Sequence, residues 1–220
     1  QPMSNENGDV WISYNGEIYN YEELRTDLEK KHDFKSDTDT EVLVHLYEER
    51  GEKMLDDLQG MFTFCIYDAK KKRLFIARDR VGIKPIYYTI TNRGLLFCSE
   101  MKGLMEYYDI KKDVNLDALS SFLTFRANTQ EESMISGVKK LMPGHFMIYD
   151  LKKDKIKINK YWDLKDKIEK GSVSDYSKEL RKLLDDSVKR RLMSDVPYGA
   201  YLSGGVDSGT IVSLMNKHAE

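Results

Sequence analysis

A glycine-rich run near the end of the chain, Ser203-Gly204-Gly205-Val206-Asp207-Ser208, has the residue types that bind phosphate. Its two glycines let the backbone approach an anion closely, and its two serines add hydroxyl donors. Residues 196–202 before the run have the pattern of a short strand, and apolar residues after it recur at helical spacing. A strand, a glycine-rich loop and a helix in this order aim backbone N–H groups at phosphate, which predicts a nucleotide-binding loop.

The residues of this run allow two other interpretations, a Walker A P-loop and a surface turn. The loop contains no lysine, which excludes a Walker A P-loop because that motif ends in Gly-Lys-Ser/Thr. The run could also be a surface turn in front of a helix. The nucleotide-binding interpretation is favoured because the loop sits between a predicted strand and a predicted helix, which is the context that such a motif requires.

A second group of polar residues lies in the first quarter of the chain. Asn15-Gly16 follows the strand candidate 10–14 and is the strongest short-range signal for a hairpin. Helix starts are predicted at Asn20, which precedes an acidic turn, and at Thr38-Asp39-Thr40-Glu41, which has capping-box spacing. Taken alone, Asn15-Gly16 is a turn and Asp39 is a first-turn acid favoured by the helix dipole.

The middle of the chain changes from a helical to a strand period at Gly60. Short strands and intervening turns are predicted at 61–67, 74–77, 86–90 and 95–98. Helices are predicted near 100–107 and 116–122, and a last hairpin pairs 145–149 with 155–161. Meandering strands of this kind normally pair antiparallel, so the pattern predicts a layered α+β domain.

The last quarter of the chain begins with a polar, apolar-poor stretch at 163–174, which we interpret as a linker. A long amphipathic helix follows, with Ser174 as its predicted N-cap, and leads into the strand before the glycine-rich loop. One strand and two helices cannot bury a core of their own. We therefore expect this second domain to be truncated.

Composition and charge limit the kinds of partner that the sequence predicts. The net charge of -2 gives no basis for binding nucleic acid or an anionic membrane surface, and the basic runs at 70–73 and 152–155 are interpreted as solvated turns. No apolar stretch approaches the roughly 20 residues that span a bilayer. The four histidines show no metal-ligand spacing, so no zinc site is predicted.

The two cysteines, Cys65 and Cys98, both lie inside apolar strand-like runs. Buried free thiols of this kind are typical of a reducing compartment, so we expect a cytoplasmic protein. The chain shows no secretory signal and begins with Gln1 instead of Met, which suggests an internal fragment.

The glycine-rich loop resembles the PP-loop of the N-type ATP pyrophosphatases. In that family the loop grips the pyrophosphate end of ATP while a substrate carboxylate is adenylated. The resemblance implies ATP and Mg²⁺ as cofactors, with Asp207 associated with the Mg²⁺ and the Leu202 backbone contacting the adenine nucleotide. The ATP-binding residues that it implies are Leu202, Ser203, Gly204, Gly205, Val206, Asp207 and Ser208.

Two segments of the first half resemble the glutamine-binding segments of class II glutamine amidotransferases, Tyr14-Asn15-Gly16-Glu17-Ile18-Tyr19-Asn20 and Ser36-Asp37-Thr38-Asp39-Thr40-Glu41. In that family of N-terminal nucleophile (Ntn) hydrolases, an asparagine side chain and the N–H of the next glycine form the oxyanion hole. The resemblance implies this role for Asn15 and Gly16, since neutral donors stabilise charge on the amide oxygen. It implies that Glu17 and Asp39 hold the α-amino end of glutamine.

Five further motifs extend the resemblance to the glutamine-hydrolysing, B-type asparagine synthetases over essentially the whole chain. The motifs stand in that family's order, at 58–62, 78–85, 99–102, 141–145 and 194–199. We interpret the middle ones as structural. Gly82 and Pro85 are expected to shape a turn, and Arg78 and Asp79 to make buried polar contacts.

The resemblance implies a fold, a domain division and a reaction. The fold is a four-layer α+β sandwich of the Ntn-hydrolase kind over 1–162, truncated at its start, followed by a linker at 163–174. Residues 175–220 would begin an α/β PP-loop domain with its first βα unit. The reaction is that of a ligase, in which ATP converts aspartate to an aspartyl-adenylate and ammonia from glutamine yields asparagine. A homodimer is also implied.

The chain departs from that family at the nucleophile, which is a cysteine at the extreme N-terminus whose own amino group assists proton transfer. Gln1 cannot act in this way, and Cys65 and Cys98 lie in strand interiors. We therefore expect the 220 residues alone to lack glutaminase activity and to bind ATP weakly. Two alternatives stay open: an amidotransferase that acts on another carboxylate (a surface polysaccharide, peptide or antibiotic precursor), and a non-catalytic homologue.

Overall fold

Two antiparallel sheets form the centre of the first of two units, Gln1–Leu164. The computed structural model describes residues 1–166, 170–194 and 196–218. The strands are β1 (Met3–Ser4), β2 (Val10–Ile18), β3 (Gly60–Asp68), β4 (Arg73–Arg78), β5 (Tyr87–Thr91), β6 (Gly94–Cys98), β7 (Lys139–Lys140), β8 (His145–Asp150) and β9 (Lys155–Lys160). The large sheet has the order β1-β2-β3-β4-β8-β9 and the small sheet the order β6-β5-β7.

Apolar side chains on both faces of the large sheet form two cores. Because successive side chains of a strand point to opposite faces, neighbours in sequence enter different cores. Phe64 and Phe75 belong to the core on one face, with Ile12 of β2. Cys65 and Ile76 belong to the core on the other face, which also contains Met147 of β8 and, from the small sheet and its flanks, Ile86, Tyr88 and Leu141. The second core therefore holds the two sheets together.

Four α-helices and a short 3-10 helix (Gly51–Asp56) complete this unit. The α-helices are α1 (Tyr21–Leu28), α2 (Asp39–Arg50), α3 (Met101–Met105) and α4 (Leu116–Phe125). α2 packs against α1, β1 and β2, whereas α3 packs against β5 and β6. The layers follow one another as helix, sheet, sheet and helix. The predicted four-layer α+β sandwich is confirmed, as are the turns predicted for the basic runs, which separate β3 from β4 and β8 from β9.

β2 runs straight through Asn15-Gly16, so the hairpin turn predicted for this pair is wrong. In the ladder to β3, Asn15 is opposite Thr63 and Gly16 is opposite Phe62. Since β3 offers partners along all nine residues of β2, tertiary pairing overrides the local turn preference of Asn-Gly. Gly16 is needed for a different reason, because a Cβ built on it would lie 2.3 Å from the Met61 carbonyl oxygen.

Replacing Gly16 by Ala should destabilise the first unit by about 1–3 kcal/mol, because β3 would have to move away from the new methyl group. Denaturant unfolding of the purified chain measures this loss. Gly209→Ala is the matched control, since a Cβ built at Gly209 meets no atom within 4 Å beyond its chain neighbours and the backbone of its own helix. A Gly16→Ala variant as stable as the wild type would contradict the close approach of the two strands.

A buried polar cluster fixes the connection that leaves β4. The Asp79 carboxylate is fully buried and accepts backbone N–H bonds of 2.9–3.2 Å from Phe62, Val81, Ile83 and Lys84. The Arg78 guanidinium donates at 2.8 Å to the carbonyl oxygens of Gly82, Lys84 and Leu141. Gly82 has φ +72°, a conformation that favours glycine. The buried contacts predicted for Arg78 and Asp79 are confirmed.

The second unit, Lys165–Glu220, contains the helices α5 (Val173–Arg190) and α6 (Val206–His218). α6 confirms the helix predicted after the glycine-rich loop. The predicted N-cap Ser174 is wrong, because Ser174 lies inside α5 and Ser172 caps the helix. Ser172 forms a capping box with the Asp175 side chain, whereas the residue three positions after Ser174 is Ser177, which has no carboxylate to complete such a box.

The strand predicted at 196–202 is not formed in the described part of the chain. A strand needs a neighbour for its ladder hydrogen bonds, and the described elements of this unit are two helices. Tyr201 is fully exposed. The prediction of a strand at the start of the βα unit is therefore wrong for this structure. The predicted linker 163–174 and the motif 194–199 include residues 167–169 and 195, which lie outside the described residues.

Within the ranges that the structure describes, no helix combines the length and the apolar character needed to cross a membrane.

Candidate functional site

The edge of β2 that faces away from β3 is the centre of the first candidate site. The backbone N–H and carbonyl groups of Phe62 bond to Asp79, on the β4 side of β3. Its partner Gly16 is therefore in a non-hydrogen-bonded pair, and the Gly16 N–H points to the opposite edge of β2. β1 pairs with β2 only at Trp11 and Ile12. The edge of β2 at Gly16 therefore lies beyond the end of β1.

Two hydrogen bonds mark the same edge on either side of Gly16. The Tyr14 N–H donates to the side-chain amide oxygen of Gln1 at 2.5 Å, and the Ile18 N–H donates to Asp39 Oδ2 at 3.0 Å. Residues 14, 16 and 18 have the same orientation in an antiparallel strand. The Gly16 N–H therefore lies between an amide oxygen and a carboxylate.

Asp39, the first residue of α2, accepts two hydrogen bonds from residues of β2. Its Oδ2 accepts from the Tyr14 hydroxyl at 2.7 Å as well as from the Ile18 N–H. Burial, and then the Asp39 carboxylate, raise the pKa of the Tyr14 hydroxyl far above its ordinary value, so this hydroxyl stays a donor. Asp39 Oδ1 accepts a long bond of 3.4 Å from the Thr40 hydroxyl. The half-buried carboxylate thus keeps an oxygen that can pair with a cation.

Asn15 and Glu17 point to the face of β2 opposite to Tyr14. Asn15 is exposed and Glu17 half-buried. Asn15 borders a pocket of about 240 Å³ that Thr63, Phe97 and Cys98 also line. The structure therefore brings Asn15, Gly16, Glu17 and Asp39 to one end of β2, with two neutral donors and two carboxylates among them.

The segment before α2 is positioned by Glu41, a residue that the sequence interpretation assigned only to a capping box with Thr38. The Thr38 side chain makes no capping bond. Glu41 instead accepts from the N–H groups of Lys35 and Ser36 and from the Ser36 hydroxyl, at 2.6–2.9 Å. Although burial opposes it, these hydrogen bonds hold the pKa of Glu41 below its usual range. The predicted capping box is wrong, because the Glu41 carboxylate bonds to Lys35 and Ser36 and the Thr38 side chain makes no capping bond.

The glycine-rich loop of the second unit forms the start of α6. Gly204 has φ +84°, and the hydroxyls of Ser203 and Ser208 lie 2.9 Å apart. Ser208 also donates to the Gly205 carbonyl at 3.1 Å. Asp207 is exposed in the first helical turn, next to the positive end of the helix. Hydroxyl and carboxylate oxygens are ligands that suit Mg²⁺, so this residue set fits the ion that the loop resemblance implies.

Residues 1–162 match the family model described as a glutamine amidotransferase domain. This chain belongs to the glutamine amidotransferase family. Residues 179–220, inside the second unit, match a further family model, described as asparagine synthase. The amidotransferase match covers the whole region that carries β1 to β9.

The similar proteins include two from Bacillus subtilis (strain 168). Asparagine synthetase [glutamine-hydrolyzing] 3 is 39% identical over 224 residues, covering 100% of this chain and 36% of that protein. Asparagine synthetase [glutamine-hydrolyzing] 2 is 40% identical over 222 residues, covering 96% and 30%. The chain thus spans about a third of the length of these curated relatives. A solved glutamine phosphoribosylpyrophosphate amidotransferase from B. subtilis is 17% identical with a TM-score of 0.49, covering 99% of this chain and 47% of that one.

The two cysteines of the amidotransferase domain both line the pocket beside Asn15. Cys65 lies inside β3, and burial raises the pKa of its thiol to about 12. A thiol with such a pKa has almost no thiolate at neutral pH, and the thiolate is the nucleophile. Cys98 is half-buried, and both cysteines are free. The strand location predicted for both thiols is confirmed, and the prediction that Cys98 is buried is correct only in part.

Tyr14, Gln1 and Glu41 are the positioning residues that sequence reasoning missed in the amidotransferase domain. Tyr14 was part of the strand pattern, and nothing local indicated that its hydroxyl would reach α2. A sequence signal did exist for Glu41, since a carboxylate in the apolar pattern of a helix is buried only when it is paired.

Proposed function

We propose that the first unit binds glutamine and releases ammonia from its side-chain amide, and that the second unit belongs to a domain that uses ATP to activate aspartate. The whole protein would then be a glutamine-hydrolysing asparagine synthetase, a ligase that forms a C–N bond. The family match over 1–162 and the similarity to asparagine synthetases of Bacillus subtilis support this proposal. The observation that carries it is the attachment of Asp39 to β2 on one flank of Gly16.

In the proposed glutaminase site, Asp39 and Glu17 bind the α-amino end of glutamine. An ammonium group and a carboxylate form charge-assisted hydrogen bonds, which are about twice as strong as neutral ones. The double anchoring of Asp39 Oδ2 fixes the direction of the remaining oxygen, so little side-chain entropy is lost when substrate binds.

Asn15 and Gly16 are proposed to stabilise the negative charge that develops on the amide oxygen of glutamine. The direction of the Gly16 N–H supports this role, because it lies at an edge of β2 that β1 does not cover. The rigid ladder to β3 fixes that N–H before substrate arrives. Preorganised donors of this kind act mainly on the transition state.

In the second unit, residues Leu202 to Ser208 are proposed to bind the phosphates of ATP at the start of α6. Asp207 would hold Mg²⁺, which neutralises charge on the phosphate oxygens. The left-handed conformation of Gly204 and the hydroxyls of Ser203 and Ser208 support close approach of an anion. We also propose a cytoplasmic location, which the two free thiols support.

ATP–pyrophosphate exchange by the whole protein tests the ligase proposal. We expect exchange that depends on aspartate and Mg²⁺, and a fall of at least about tenfold in Asp207→Asn, because a charged contact to the bound ion is lost. Asp186→Asn on the exposed side of α5 is the control and should exchange like the wild type. Exchange with a different carboxylate but not with aspartate would contradict the proposed acceptor and favour another amidotransferase.

A further inference from the structure

A second cluster of polar side chains lies where the turn after β1, the segment after α1 and the helix α2 meet. Glu6, His32, His45 and Glu48 each contribute one potential ligand atom, and these atoms all lie within 4.8 Å of one another. We propose that this cluster binds a divalent transition-metal ion, with Zn²⁺ as the preferred one. The site joins three segments of the first unit and is independent of the proposed glutaminase reaction.

The distances between the donor atoms suit a tetrahedral ion. His32 Nδ1 lies 3.6 Å from Glu6 Oε1 and 3.7 Å from Glu48 Oε2. His45 Nδ1 lies 3.8 Å from Glu6 Oε2 and 3.0 Å from Glu48 Oε2. With metal–ligand bonds of about 2.0–2.1 Å, neighbouring ligands of a tetrahedral Zn²⁺ are about 3.3 Å apart. Small side-chain rotations would bring the four donors to that separation.

The donor set and its orientation favour a metal over a simple ion pair. Both imidazole rings turn Nδ1 toward the same two carboxylates, and the rings are stacked with centroids 4.4 Å apart. Two histidines and two carboxylates provide the nitrogen and oxygen ligands that Zn²⁺ accepts, and they differ from the all-oxygen sites of Mg²⁺ and Ca²⁺. His45 Nδ1 lies within hydrogen-bond distance of Glu48 Oε2, at 3.0 Å.

Further polar groups hold two of the four proposed ligands, His32 and Glu48. His32 Nε2 lies 3.3 Å from Glu49 Oε1, and the Glu48 carboxylate accepts a 2.7 Å bond from Asn5, which is itself buried. Metal-binding histidines usually donate their other ring N–H to a carboxylate or carbonyl oxygen. His32 follows this pattern through Glu49.

His45 provides the independent sign that the cluster is built for a ligand. Its side chain is 0% exposed, and its Nε2 has no hydrogen-bond partner within the described part of the chain. An ion on Nδ1 would place the proton on Nε2, which faces Glu41 Oε1 at 3.8 Å. The Glu41 carboxylate is already held by Ser36. Metal binding would thus give the buried ring a defined tautomer and direct its N–H at an anion.

Motif spacing does not reveal this cluster, because its four residues come from distant segments of the chain. His32 and His45 lie on different segments, and only His45 and Glu48 have the helical i, i+3 relation. The expectation of no zinc site was drawn from motif spacing alone, which cannot detect ligands that the tertiary fold brings together.

Metal titration of the chelator-treated full chain tests the proposal. We expect one equivalent of Zn²⁺ per chain by isothermal titration calorimetry, a rise in Tm on Zn²⁺ addition, and the visible spectrum of four-coordinate Co²⁺ when Co²⁺ is used instead. Glu6→Gln and His32→Gln should each weaken Zn²⁺ binding by at least about tenfold. These partly exposed positions are chosen instead of the fully buried His45, so that the variants fold.

His145→Gln is the matched control, because His145 lies on β8 and bonds to the Pro143 carbonyl oxygen outside the cluster. It should bind Zn²⁺ like the wild type. Glu49→Gln should weaken binding by a smaller factor than His32→Gln, since Glu49 acts through His32. The proposal is overturned if saturating Zn²⁺ leaves the Tm unchanged, or if Glu6→Gln and His32→Gln bind Zn²⁺ as tightly as the control. The cluster would then be a proton-sharing network of histidines and carboxylates.

Discussion

Replacing Asp39 by Asn is expected to raise the KM for glutamine of the whole protein by about 10- to 100-fold, which corresponds to the loss of a hydrogen bond to a charged group of about 1.5–3 kcal/mol. Asn keeps the size of the side chain, and its single carbonyl oxygen can still accept from the Tyr14 hydroxyl and the Ile18 N–H. The substitution removes the negative charge that is proposed to pair with the α-amino group of glutamine. Steady-state ammonia release from glutamine measures the change.

The control for this variant is Asp37→Asn, because the Asp37 side chain is fully exposed in the same segment. It should leave the KM for glutamine within about twofold of the wild type, as expected for an exposed ion pair. Amide synthesis from free ammonia should be unaffected in both variants, since it does not use the glutamine site. An Asp39→Asn protein with an unchanged KM would remove Asp39 from the proposed binding site.

Replacing Asn15 by Ala should lower kcat for glutamine hydrolysis by about 10²- to 10³-fold, the usual cost of losing one oxyanion-hole donor. The KM for glutamine should change little, because the proposed contact strengthens only as charge develops on the amide oxygen. Asn15 is exposed, and its neighbours in the β2–β3 ladder remain, so the fold should tolerate the change. Single-turnover and steady-state ammonia release separate the two parameters.

Asn92→Ala in the exposed turn between β5 and β6 makes the same substitution away from the site and should keep the wild-type kcat. A comparable fall in both variants would point to a general loss of folded protein. If Asn15→Ala mainly raises the KM, the side chain binds ground-state glutamine instead of the developing oxyanion.

The sequence predicts helices and strands correctly where the local pattern and the tertiary structure favour the same conformation. The start of α2 at Asp39 and the strands around Cys65 and Cys98 follow from apolar period and turn residues. The two cores also follow, since the continuous apolar run in β3 requires burial on both faces. The layered α+β fold class could therefore be predicted from the sequence pattern alone.

Contacts between distant segments could not be predicted from local pattern. Asn-Gly is a turn signal in isolation, but β3 keeps Asn15-Gly16 extended. Glu41 is three residues after Thr38, yet Ser36 and Lys35 hold its carboxylate. The approach of Asp39 to β2 depends on the Tyr14 hydroxyl, which is 25 residues away in the chain. For Asn15-Gly16 and for Asp39 the deciding partner lies far outside the window in which a motif is recognised. For Glu41 the partners lie five and six residues before the carboxylate, beyond the three-residue spacing of a capping box.

The pairing of β4 with β8 has a consequence for the order of folding. β2, β3 and β4 pair without help from β8, whereas the β4–β8 ladder closes a loop that includes residues 79–144 and the whole small sheet. The entropic cost of closing a loop grows with the length of the loop. Contacts between distant segments therefore form slowly. We expect the amides of β3 and β4 to gain protection from hydrogen exchange before those of β8 and β9. The edge of β2 at Gly16, which carries the proposed glutamine site, would then be assembled early, before the sheet is complete.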